Sequence, residues 1–325
     1  MYFSRVRVKA DVRELSHLNH LLRGNGYATH QLLFDLFPGA RDRILFREEI
    51  AGEQIPHVRG ARGEPIFYVV SPEEPIKNNA LFMVETKEYE PRLKVGDLLS
   101  FKLRANPVQT KKQERVSEDI DLWRKKRAKQ GVKEKYPTKK RIRHDVVINA
   151  QVQLLHDLAG DFGIDKVGKK SDLKRCIFDA WTAADNATIT AKLNQIIKDN
   201  ERYCENLERI LSKQNLLDMA LKAAADKALE IWLINKGDAN GFVLVRDKER
   251  NPLKRDRLRF QAEGYRWHPL PNKGRTAGFS SVDFEGVLKV TDLKKFVEDE
   301  EKNALFNGIG PAKGFGCGLM MVRRV

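Results

Sequence analysis

Eleven residues near the end of the chain constrain it most: Gly308-Ile309-Gly310-Pro311-Ala312-Lys313-Gly314-Phe315-Gly316-Cys317-Gly318, followed by Leu319-Met320-Met321-Val322. Five glycines in eleven residues leave little room for a regular element. Glycine tolerates positive φ and lets another backbone or a phosphate come close. A helix-like stretch precedes the run and a strand-like stretch follows it, so the run is a shaped connection. It lacks the G-x-x-x-x-G-K-[ST] spacing of a Walker loop, and no strand precedes it as a dinucleotide fingerprint requires. Both absences argue against a nucleoside-triphosphate or NAD site. Two readings stay open: a basic seat for a phosphate backbone, or a tight turn between a helix and an edge strand.

At 325 residues the chain has room for about two domains. Sixty Lys and Arg face 45 Asp and Glu, a formal charge of +15. That excess favours a polyanion or an anionic membrane as partner, unless it serves solubility alone. No apolar run is long enough to span a bilayer. The opening Met1-Tyr2-Phe3-Ser4-Arg5-Val6-Arg7-Val8 is too short and too charged for a secretory signal and reads as a strand. Cys176, Cys204 and Cys317 are odd in number and far apart, which fits a reducing, cytoplasmic setting better than a disulfide framework.

Residues 2–9 alternate well enough for an edge or half-buried strand. A helix-like segment follows at Leu15–Leu22, and Leu32, Leu33, Leu36 and Phe37 form an apolar helical stripe that Pro38-Gly39 closes. Strand candidates follow at Ile44–Arg47, Pro65–Val70, Ala80–Thr86 and from Leu98 onward. Short strands with few helices suggest an α+β, ferredoxin-like unit. From Lys111 to Arg143, 14 Lys or Arg stand against five acids, with Trp123 and Tyr136 interspersed. Pro137-Thr138-Lys139-Lys140-Arg141 reads as irregular, and the stretch is either a surface-exposed, partly disordered, solubilising loop or a polyanion-binding segment that orders on contact. Residues 147–235 are mostly helical in pattern and show nothing catalytic. Lys248–Arg275 carries nine Lys or Arg against three acids, and Leu258, Phe260 and Ala262 alternate with Arg257, Arg259 and Gln261. A basic ribbon of that kind can enter a helical groove. Pro271-Asn272-Lys273-Gly274 is a turn candidate, Ser280–Val290 is a strand, and Thr291 is the expected N-cap of a following helix.

Seven histidines are present, at 17, 20, 30, 57, 144, 156 and 268. None has H-E-x-x-H spacing and none clusters with cysteine, so no metal ligand set and no cofactor is expected. His30 stands out because Tyr27 lies three residues before it, on one face of a helical turn. A phenol beside an imidazole can position a nucleophile and move a proton near neutral pH. The alternative is a hydrogen-bonded structural histidine beside an apolar stripe.

Several motifs recur together in one order. They are the opening Met-Tyr-x-Ser-Arg strand, Tyr27-x-x-His30-Gln31 leading to Leu36-Phe37-Pro38, and Phe101-Lys102-Leu103-Arg104-Ala105-Asn106-Pro107. Phe284-Glu285-Gly286-Val287-Leu288 and the glycine-rich run complete the set. The combination resembles the type I-E CRISPR-associated endoribonuclease family, CasE, of the RAMP superfamily. The resemblance implies two tandem ferredoxin-like (RAMP/RRM-like) domains. Residues 1–95 would carry the active pair. Residues 96–325 would hold a helical insertion at about 150–225, a basic ribbon at about 254–268 and the glycine-rich loop at 308–318. Typical members are shorter, and the helical block accounts for the excess.

The resemblance also implies an activity: metal-independent cleavage of a CRISPR repeat stem-loop at the 3′ base of its stem. The products would be a 2′,3′-cyclic phosphate and a 5′-hydroxyl. The protein would then stay on the guide as a subunit of Cascade, with other type I-E subunits as partners and no membrane. Tyr27 and His30 match the active pair. Arg104, Lys139, Lys140, Arg141, Arg143, Arg257, Arg259, Arg266, Lys313, Gly314 and Gly316 are the expected RNA contacts. The rival expectations are a non-catalytic RNA-binding subunit and a basic structural protein.

Overall fold

The opening residues show why the first element is a strand. Ser4, Val6 and Val8 are buried and Arg5 is exposed, the period-two pattern of a pleated strand with one covered face. The structure, a computed structural model, describes residues 1–9, 26–38, 44–50, 65–129, 138–164, 168–184, 187–205, 212–247, 258–270, 277–299 and 302–325. In chain order the main elements are β1 (Tyr2–Val8), α1 (Gly26–Phe34), β2 (Leu45–Ile50), β3 (Pro65–Ser71), β4 (Phe82–Glu88), β5 (Leu98–Ala105), β6 (Val108–Glu114), α2 (Ser117–Lys129), β7 (Lys139–Asp145), α3 (Val146–Asp161), α4 (Lys170–Ala184), α5 (Ala187–Lys198), α6 (Lys213–Asn240), β8 (Phe242–Leu244), β9 (Phe260–Pro269), β10 (Gly278–Val290) and β11 (Met320–Arg324). They fall into two compact units, Met1–Asn106 with Glu230–Val325, and Pro107–Leu229. The helix expected at Leu15–Leu22, the turn at Pro271–Gly274 and Arg257 lie outside the described residues.

The first unit contains two sheets. One runs β2-β3-β1-β4, all antiparallel. β1 and β2, joined through α1, flank β3, which is the split βαβ arrangement of a ferredoxin-like domain. β1 is therefore a central strand, the half-buried alternative of the two its alternation allowed and not the edge. Its outward Arg5 and Arg7 both pair with Glu85 of β4, at 2.6 and 2.8 Å, and so soften the pattern. Buried Ser4 donates to Thr86 Oγ1 at 2.9 Å, so its hydroxyl is satisfied. Leu33, Leu36 and Phe37 pack on Val6, Val8, Phe46, Phe67 and Phe82. Each fully buried Phe or Leu contributes about 1.5–3 kcal/mol.

The other sheet runs β11-β5-β10-β8, with β9 also on β10. Here β5 and β8 flank β10, which repeats the ferredoxin-like order. Trp232 of α6 stacks on Phe284 of β10 at 5.5 Å, which seats the helix end on the sheet. Thr291 caps nothing: it is exposed, and the turn at Lys294–Glu298 is π-helical. Asp292 accepts from the Lys295 amide at 3.2 Å instead, because its carboxylate reaches the orphan donor.

The second unit opens with β6 paired to β7 and closes with helices. The basic stretch from Lys111 to Arg143 forms β6, α2 and β7 over its described part, so Lys139–Arg141, expected to be irregular, are in a strand. Charge does not oppose a ladder whose side chains reach water, since the backbone supplies its bonds. Asp145 ends the ribbon and caps α3, accepting from the Ile148 amide at 2.9 Å. The helices bury Leu155, Leu158, Ile177, Trp181, Leu193, Ile197 and Leu217 in one core.

Candidate active site

α1 begins at Gly26, so Tyr27 lies in its first turn and His30 follows three residues later. The His30 ring is half-buried. It stacks on Phe34 (5.8 Å, 13°) and tilts against Phe46 of β2 (6.2 Å, 56°). Two aromatic walls fix the imidazole plane.

The third neighbour is the glycine-rich run. Lys313–Phe315 is a single 3-10 turn. A Cβ on Gly314 would stand 3.5 Å from His30 Cδ2 and 3.8 Å from Nε2, so the loop backbone passes directly over the ring. A larger side chain at 314 would cover the imidazole. Gly316 has φ +79, and a Cβ there would press on Phe46 at 3.2 Å. The loop is pinned at its ends: the Ile309 amide donates to Gly318 O (2.9 Å) and the Gly318 amide to Arg104 O (2.7 Å). Cys317 is buried between these anchors, and burial pushes its thiol up to about 12, so it stays neutral and packs. The run is thus a tight turn that is laid against a histidine and ends at the edge strand β11.

Beside the loop, charge is tightly paired. Arg104 forks onto the Asp283 carboxylate at 2.9 and 3.0 Å and also donates to Glu48 O at 2.9 Å. Buried Arg47 donates to Glu49 at 2.9 Å, and its other arm stands 3.3 Å from Asp283. Asp283 of β10 therefore ties β2 to β5 and so holds the two sheets of this unit together. The pairing register slips between Ser281 and Asp283, a bulge of the kind that re-aims side chains. Burial pushes the Glu48 carboxyl up, against the pull of Arg104 and Arg266. His268 meets Ser281 Oγ at 2.8 Å and stacks on Phe279, which in turn leans on Phe315. Burial first, then Arg266 and Arg104, hold the His268 imidazole below its ordinary value.

The expected site residues separate accordingly. His30, Lys313, Gly314, Gly316 and Arg104 converge at the loop. Lys313 donates to Asn307 O and Arg104 is held by Asp283, so both also brace the seat. Arg266 is exposed on β9, and half-buried Arg259 stands 3.5 Å from Asp247. Lys139, Lys140, Arg141 and Arg143 are exposed on β7, in the other unit. Sequence reasoning missed Phe46, Phe279, Phe315 and Asp283. Asp283 carried a signal, an acid between the apolar Val282 and Phe284; the aromatics looked like ordinary core. Among the described residues no group of three or more His, Cys, Asp or Glu could hold a metal ion, and no helix is long and apolar enough to cross a membrane.

The family model described as CRISPR associated protein matches residues 1–324. The chain matches no curated protein. Among solved structures it is similar to Thermus thermophilus Cse3 bound to an RNA representing a pre-cleavage complex, with 17% identity, 99% of this chain and 98% of that one covered, and a TM-score of 0.48. It is also similar to the CRISPR-associated protein Cas6e of Escherichia coli K-12, with 18% identity, both chains fully covered, and a TM-score of 0.45.

Proposed function

Because the chain belongs to the CRISPR associated protein family, we propose that it is a metal-independent endoribonuclease that cuts a CRISPR repeat stem-loop and then holds the product. The observation that carries this reading is the half-buried His30 imidazole, stacked on Phe34, tilted against Phe46 and lying beside the backbone of Gly314. An imidazole titrates near neutral pH and can take or give a proton there. A glycine over the ring lets a ribose-phosphate approach without a side chain in its way.

The chemistry is a transesterification. The 2′-oxygen forms a bond to the adjacent phosphorus while the bond to the 5′-oxygen breaks. One proton leaves the 2′-hydroxyl and one reaches the 5′-oxygen, giving a 2′,3′-cyclic phosphate and a 5′-hydroxyl. His30 serves as general base or acid, and Tyr27 orients the nucleophile or steadies the phosphorane. The exposed cations of β9 and β7 supply phosphate contacts. The partners are the repeat stem-loop and the other subunits of a Cascade complex.

A repeat-hairpin cleavage assay tests the reading. His30→Ala should slow cleavage about 10²–10⁴-fold, the usual contribution of one acid–base group, while RNA affinity changes little. A 2′-deoxy substitution at the scissile nucleotide should stop the cut, and a chelator should not. Cleavage that survives the deoxy substitution rejects the mechanism. A wild-type protein that binds the hairpin but never cuts it is a guide-holding subunit instead.

A further inference from the structure

The β6–β7 ribbon has two unlike faces. Pairing registers put Thr110 opposite Arg143, Lys112 opposite Arg141 and Glu114 opposite Lys139 on one face. On the other face Lys111 is opposite Ile142 and Gln109 opposite His144. That second face turns toward α3, since Lys111 Nζ donates to Asn149 at 3.3 Å and Ile142 and His144 are half-buried. The first face is open: Lys112, Arg141 and Arg143 are all exposed. Lys139 lies 3.7 Å from Glu114, but among the described residues none of the other three cations has a carboxylate within 4.0 Å.

Like charges directly opposite one another destabilise an antiparallel pair. Lys112 and Arg141 occupy such a position. Arg143 stands two residues along the same strand, about 6.7 Å away by strand geometry. An anionic polymer with a regular charge repeat relieves this repulsion. A protein partner fits poorly, because such interfaces are built on an apolar or aromatic core and Val108 is the only apolar residue on this face. The face likewise offers no aromatic ring for a base to stack on.

We infer that the open face of this ribbon is a phosphate-backbone clamp that grips the RNA transcript without reading its bases. This deepens the RNA-processing reading and rests on it for the identity of the polyanion. It adds Lys112 to the contacts and gives Arg141 and Arg143 a sequence-independent role.

The test is equilibrium RNA binding by the full chain across a salt series, with Lys112→Gln, Arg141→Gln and Arg143→Gln combined. Each phosphate contact contributes about 0.7–0.9 to the slope of log affinity against log salt. The triple variant should have a slope shallower by about two, and equally so for the repeat hairpin and for an unrelated RNA of the same length. A charge-preserving Lys112→Arg, Arg141→Lys variant should keep the wild-type slope, which separates charge from folding. An unchanged slope in the triple variant overturns the clamp. So does a loss confined to the repeat hairpin, which would mean base reading. So too does a loss of binding to polyglutamate with the RNA slope intact, which would assign the face to an acidic protein. Cleavage by the wild-type protein judges the enzymatic reading separately, because the slope does not depend on whether the RNA is cut.

Discussion

Ala312 has φ 62, the one described residue other than glycine in the left-handed region. An L side chain costs about 1–2 kcal/mol there. The residue begins the turn that carries Gly314 over His30, so the strain sits where backbone position matters most. Ala312→Gly should raise stability by about 0.5–1 kcal/mol, net of the extra chain entropy glycine loses, as read by denaturant unfolding. An unchanged or lowered midpoint would mean the Cβ has a packing role that outweighs its strain. At this scale the sequence was partly legible. Tyr27, His30 and the glycines could be picked out because their types are chemically unusual in their surroundings. Phe46 and Phe315 could not, since an aromatic residue looks alike in a core and beside an imidazole. Arg104 could be singled out within its motif, but its grip on Asp283 depends on a partner far away in sequence.

Single elements were legible where their alternation was clean and obscure where charge masked it. Ser280–Val290 read as a strand and β10 occupies Gly278–Val290. β7 did not read as one, because Lys139, Lys140, Arg141 and Arg143 give no apolar period. β9 carries a pH dependence. The folded state holds the His268 imidazole below its ordinary value, through burial and then Arg266 and Arg104. Between the folded and unfolded values the unfolded chain binds more protons, so stability rises with pH across that window. The contribution is therefore present above about pH 6.5, the unfolded value, and fades as pH falls through the depressed folded one. His268→Phe keeps the ring stacked on Phe279 but removes the titration. The loss of stability on acidification to pH 5 should be smaller in this variant than in wild type. Parallel pH profiles would count against it.

Over the whole molecule, two sheets share the ferredoxin-like strand order, and the remaining helices gather around a core of their own. Trp181 is fully buried in that helical core. Trp181→Ala should cost about 3–5 kcal/mol, the range for deleting a large buried side chain. Hydrogen exchange should place the loss in α3, α4 and α5, with β1, β3 and β10 keeping their protection. Protection lost evenly across both sheets would mean the chain opens as one cooperative body. The fold class could be read from the sequence because short-range periodicity survives in most elements. Strand order could not, because pairings such as β11 with β5 join segments far apart in the sequence.

That last property bears on timing. His30 is translated well before Gly314 and the strand β11 that follows its loop. Chains emerge from the ribosome at about 5–20 residues per second, and domains tend to fold as they appear. The first sheet therefore has many seconds to form with its imidazole still unroofed. A nascent chain carries the histidine without the loop that lies against it, and the two meet only after the 284 residues from His30 to Gly314 have been added.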